Sequence, residues 1–112
     1  MPKKEKQKRR ADEPLVQKVF NRRGTVEILI LLKDKERLRF NQIESALTYI
    51  APQVVSARLA DLREIGVIDR AVSEGPPLTT TYSLTEIGSQ LAGAAEVLKS
   101  VAANPKLPAV AA

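Results

Sequence analysis

In the stretch APQVVSARLADLREIGVIDR, Ala51 to Arg70, the side chains Gln53, Ser56, Ala57 and Ala60 lie opposite an apolar row of Val55, Leu59 and Leu62. That row has i, i+4, i+7 spacing, which predicts a helix with one buried stripe. A merely solvated outer face normally carries Lys and Glu, whereas this one is small and uncharged. Gln53 can donate and accept together, the pattern that adenine presents in the major groove of DNA. Ser56 can bond a base or a phosphate, Ala57 can meet a thymine methyl, and small residues permit close approach of the helix. Arg58 flanks the stripe and can reach a phosphate or pair with an acidic neighbour such as Asp61 or Asp69. The alternative for the whole face is solvation without further duty.

Other chemistry is poorly supported. The 112 residues contain no Cys, His or Trp. Disulfides, thiol redox switching, Cys/His zinc sites and histidine acid–base catalysis are thereby removed. No carboxylate cluster has calcium-loop spacing. An enzyme is therefore not expected, nor a metal or a cofactor. No apolar run approaches a membrane span, and MPKKEKQKRR has no apolar segment behind it, so no secretory signal is read. A cytoplasmic, nucleoid-associated location is expected.

The net charge of +5 lies entirely in the first ten residues, where six basic side chains face Glu5. The remainder is balanced. Residues 1–12 thus read as a basic disordered arm that either solubilises the chain or touches nucleic acid. Residues 13–103 read as one domain, and 104–112 as a flexible tail.

Helical spacing over 13–20 presents Leu15, Val16, Val19 and Phe20, and TVEILILLKD forms a second, strongly apolar helix. A short strand is expected over 38–40. A helix over 42–48 follows, capped by Asn41 with Glu44 in capping-box position and presenting Ile43, Ala46 and Leu47. Pro52 suits the first position of the next helix, and Gly66 its end. Residues 67–73 and 78–84 read as strands of a hairpin, with Leu78, Thr80, Tyr82 and Leu84 on one face. Thr85 caps a last helix to about residue 102, with Ile87, Leu91, Ala94, Ala95 and Leu98 as its stripe. The fold class is α+β, mostly α: a winged helix-turn-helix with extra N- and C-terminal helices for dimerisation.

The blocks Arg39-Phe40-Asn41-Gln42-Ile43, Arg58-Leu59, Leu62, Glu64, Gly66-Val67-Ile68, Arg70, Pro76-Pro77, Tyr82-Ser83-Leu84-Thr85 and Gly88 keep a characteristic order and spacing. Over roughly residues 14–90 the chain resembles the HxlR-type regulators, winged-helix relatives of the MarR group. The resemblance implies a DNA-binding transcriptional regulator acting as a homodimer. There are departures. Glu13 precedes Pro14 where the family often has a redox-sensing Cys, Val26 replaces a Trp, and Ala51 replaces a capping Ser or Thr. Leu78-Thr79-Thr80-Thr81 stands where an Arg is usual, with one residue more before Tyr82.

The recognition helix is expected over about 52–65 and the wing over about 73–79. Arg39, Asn41 and Gln42, at the start of the preceding helix, are placed for phosphate contact, with Asn41 alternatively only a cap. Thr79 offers a wing hydroxyl to the backbone, or serves a purely structural hairpin. Leu15, Val19, Phe20, Leu91, Ala95 and Leu98 are expected at the dimer interface; the alternative is that their helices complete the domain's own core. Expected partners are double-stranded DNA and a second copy of the chain. The competing functions are a low-specificity architectural DNA binder and a winged helix used for protein interaction. Target sequence, effector, and activation versus repression are not legible.

Overall fold

The computed structural model describes residues 14–103; the expected arm and tail lie outside the described residues. The elements are α1 (Leu15–Phe20), α2 (Thr25–Lys35), β1 (Arg37–Arg39), α3 (Phe40–Ala46), α4 (Pro52–Glu64), β2 (Ile68–Val72), β3 (Thr80–Leu84) and α5 (Glu86–Ala102). The strands form one antiparallel sheet in the order β1-β3-β2. Leu38 pairs with Tyr82 and Ile68 with Leu84, and all four join the core. By strand alternation the opposite face carries Arg37, Arg39, Asp69, Ala71, Thr81 and Ser83.

The core is built from Val19, Ile28, Leu29 and Leu32 of the first two helices with Ile43, Leu47, Ile50, Val55, Leu59 and Leu62 of the helix-turn-helix. Leu47 and Ile50 are buried on either side of the exposed Tyr49, so the turn between α3 and α4 is pinned by its own apolar residues. Pro52 opens α4, and Ala51 caps it with no side-chain hydrogen bond. Gly66 ends it at φ +81°, a left-handed conformation that glycine adopts without a Cβ penalty. The Val67 N–H donates to the Leu62 carbonyl at 2.8 Å and the Gly66 N–H to the Arg63 carbonyl at 3.1 Å. These two bonds form a Schellman motif, which turns the chain directly into β2.

The last turn of the wing is tied to α5 through Thr85. Its Oγ1 accepts from the Gly88 N–H at 3.1 Å and donates to the Gly66 and Val67 carbonyls at 2.7 and 3.0 Å. The expected cap is therefore present, and it fixes the start of α5 against the end of α4.

Three expectations differ from the structure. Helix α3 begins at Phe40, with Arg39 rather than Asn41 at its N-cap. The Arg39 N–H donates to Gln42 Oε1 at 2.8 Å, so Gln42 supplies the reciprocal contact instead of Glu44. Ala46 is exposed. Second, the buried row of α5 is Gly88, Ala92 and Ala95, while Ile87 and Leu98 face solvent. Small residues let α5 approach its neighbours closely, and the larger ones are left outside. Third, Val19 and Ala95 are completely buried within the protomer, so neither can offer surface to a second copy. The structure follows the alternative for those two residues: they complete the domain's own core. The Leu15 side chain lies outside what is described. Leu78, expected in the strand, precedes the start of β3 and is 72% exposed.

Candidate nucleic-acid interface

Helix α4 buries Val55, Leu59 and Leu62 and exposes Gln53, Ser56, Ala57 and Ala60. The apolar row anchors the helix along its whole length, so the outward face is presented by a rigid scaffold. It carries one amide, one hydroxyl and two methyl groups, a set that can read base edges but cannot form an ion pair. Glu64 lies exposed at the far end of the helix.

Arg58 belongs to a different environment. Its side chain is only 18% exposed, and Nη1 lies 3.2 Å from Asp61 Oδ2. Its stem crosses Gly24, where an added Cβ would sit 3.4 Å from Arg58 Cγ. Gly24 itself holds φ +90° at the N-cap of α2. The second of the two expected roles, pairing with an acidic neighbour, is the one present. Arg58 therefore braces α4 against the start of α2.

The residues at the start of α3 divide by task. Arg39 and Asn41 are exposed, and Asn41 is free of the capping duty expected for it. Gln42 spends its carbonyl oxygen on the Arg39 N–H. Arg37 Nη1 reaches Thr81 Oγ1 at 3.4 Å across the outer face of the sheet.

At the wing, Ser73 and Thr79 close the loop upon themselves. The Ser73 N–H donates to the Thr79 carbonyl at 2.8 Å, the Thr79 N–H to Ser73 Oγ at 3.0 Å, and the two hydroxyls lie 2.7 Å apart. The Thr79 hydroxyl thus has the structural role foreseen as its alternative. Beyond it, Glu74, Gly75, Pro76, Pro77 and Leu78 are all exposed, and Glu74 is their single charge. A tip of this composition has no cation for a phosphate.

The structure brings together two arginines to which the sequence assigns no contact: Arg63, and Arg70, named above only within the family blocks. Arg63, from the last turn of α4, and Arg70, from β2, line a cleft of about 170 Å³ with Ser56, Ala60, Phe40 and Tyr82. Ser56, Ala60 and Arg63 are one i, i+4, i+7 row, and Arg70 is paired with Tyr82 across the sheet. That row and the strand alternation are the signals that place them together, but only once the helix and hairpin are docked. Among the described residues no group of three His, Cys, Asp or Glu converges as a metal site.

A helical core, a helix-turn-helix whose second helix exposes Gln53, Ser56, Ala57 and Ala60, and a three-stranded sheet ending in a hairpin define a winged helix-turn-helix protein. The profile of the HxlR-like helix-turn-helix family matches residues 19–106, and the chain belongs to that family. It is 43% identical over 54 residues to YvaP of Bacillus subtilis (strain 168), an uncharacterized HTH-type transcriptional regulator; the match takes in 48% of this chain and half of YvaP. Among solved structures, the HTH-type protein ytcD superposes with a TM-score of 0.71 at 26% identity, covering 81% of this chain and 95% of that one. The reduced form of the transcriptional regulator YodB from B. subtilis gives 0.66 at 22% identity, covering 82% and 89% respectively, a likeness of fold. The family and these relatives are regulators rather than enzymes. No described helix is long and apolar enough to cross a membrane.

Proposed function

We propose that this protein is a transcriptional regulator that binds duplex DNA as a homodimer, with α4 in the major groove and the hairpin beside it. The observation that carries this reading is the exposed face of α4. An uncharged surface of Gln53, Ser56, Ala57 and Ala60 on a firmly buried helix has little use in water and suits contact with base edges. The HxlR-like family membership supports the same role. Gln53 and Ser56 carry base readout, Ala57 and Ala60 allow close approach, and Arg39 and Asn41 contact the backbone. The arm of residues 1–12 adds affinity that is independent of sequence.

The dimer rests on α5. Its outer row of Ile87, Leu98 and Val101, with Val97 beside it, is exposed in the protomer, and Phe20 and Leu91 are partly so. A stripe of this kind is characteristic of an association surface, and a two-fold contact hides it on both copies at once. The interface residues proposed are accordingly Phe20, Ile87, Leu91, Leu98 and Val101.

Gln53→Ala tests the readout. It is expected to relax preference at one base pair by about 1–3 kcal/mol while leaving non-specific binding nearly intact, as measured by competition between duplexes differing at single positions. Equal weakening on every sequence would assign the helix to backbone work.

A further inference from the structure

The cleft between α4 and the sheet brings two basic side chains together. Two arginines, Arg63 and Arg70, line it with the hydroxyl-bearing side chains of Ser56 and Tyr82, over a floor of Leu59 and Phe40. Both arginines are exposed, and neither forms an ion pair or a side-chain hydrogen bond among the described residues. This contrasts with Arg58, five residues before Arg63 on the same helix, which is held by Asp61. Acidic residues are near at hand in sequence, Glu64 beside Arg63 and Asp69 beside Arg70, yet neither pairs with them. Asp69 lies on the outer face of the sheet, opposite Ser83, whereas Arg70 shares the inner face with Tyr82. The strand alternation thus separates the carboxylate from the guanidinium.

We infer that this cleft is a phosphate clamp: Arg63 and Arg70 together hold backbone phosphate of the strand that passes between the recognition helix and the wing. The inference rests on the DNA-binding reading above. A helix in the major groove and a hairpin beside the neighbouring minor groove stand on two sides of one sugar–phosphate backbone. That backbone must cross the gap between α4 and the β2–β3 hairpin, and the gap is where the two unpaired guanidinium groups converge. Guanidinium forks match phosphate oxygens in geometry as well as charge, and hydroxyls can add further donors. The clamp also explains how a wing with no cation at its tip is held to DNA. The attachment lies at the hairpin's root, on Arg70, instead of at residues 74–78.

The test is a salt titration of binding to a short mixed-sequence duplex, between about 50 and 200 mM salt. Arg63→Gln with Arg70→Gln is expected to lower affinity on the order of 100-fold, equally on all sequences. The slope of log affinity against log salt is expected to fall by about 1.8, two phosphates at about 0.9 each. Arg63→Lys with Arg70→Lys should restore the slope but only part of the affinity, since a point charge replaces a fork. Lys33→Gln with Lys35→Gln removes the same charge from α2, where the two lysines pair with Glu96 and Asp34, and should change the slope little. Because Arg63 and Arg70 are exposed, unchanged circular dichroism and melting are expected for both arginine variants. If the wild-type protein binds and the glutamine variant keeps its slope, the clamp is wrong and the helix reading stands. If the wild-type protein binds no duplex, both fall together.

Discussion

Gly88→Ala is expected to destabilise the domain by about 3 kcal/mol, although alanine is the better helix former. An added Cβ would lie 2.0 Å from the Val67 carbonyl oxygen and 3.2 Å from Leu84 Cδ2. The first of these is backbone, so it cannot swing aside as a flexible side chain would. Val67 is held in turn from both directions: its N–H ends the Schellman motif of α4, and its carbonyl accepts from the Thr85 N–H at 3.1 Å. Moving it disturbs the end of the recognition helix and the cap of α5 together. Gly93→Ala supplies the contrast on the same helix. No atom lies within 4 Å of an added Cβ there, so that variant should gain about 0.5–1 kcal/mol from helix propensity. Thermal melting separates the two clearly, because each kcal/mol shifts Tm by about 4–8 °C in a domain of this size. Equal melting of the two variants would contradict the packing described for Gly88.

Leu98→Glu with Val101→Glu is expected to leave the fold intact and convert a dimer to a monomer. Both residues are about half exposed in the protomer, at 51% and 52%, and glutamate is a good helix former. Their replacement puts like charges face to face across a two-fold contact. Sedimentation should then report the 12.3 kDa of a single chain, against twice that mass for the wild-type protein at micromolar concentration. Affinity for a palindromic site should fall by about 10²–10⁴-fold, since the second half-site no longer binds intramolecularly. A wild-type monomer would remove the dimer, and a double variant that stays dimeric would move the interface elsewhere.

The order of the elements is legible in the sequence because local chemistry marks it. Pro52 and Gly66 bracket α4, and Thr85 marks the start of α5. Val55, Leu59 and Leu62 fix which side of α4 is inward without reference to any other element. Helix α5 is harder, because two apolar rows run along it. Hydropathy favours the row with Ile87 and Leu98, whereas burial selects Gly88, Ala92 and Ala95. Interhelical distance makes that choice, and a single sequence does not record it. The same limit applies to Asn41: pairing of β1 with β3 sets where the strand ends, and hence makes Arg39 the cap.

The candidate site is legible to a similar degree. The uncharged face of α4 is visible in the residue types alone. Arg63 and Arg70, by contrast, sit apart in the sequence, one at a helix end and the other on a strand. Their convergence depends on docking the hairpin against α4. Thr79 reads as an available hydroxyl until the loop closes and Ser73 meets it. Side chains whose role is set by their own element are foreseen, and those set by a partner element are not.

As the proposed homodimer, the protein reads bases through α4 in two symmetric half-sites. Selection of bound duplexes from a random pool by the wild-type protein tests it most directly. Enrichment is expected of a pseudo-palindrome whose half-sites lie about 10 base pairs, or about 34 Å, centre to centre. A pool that is bound but emerges with no preferred sequence would contradict it.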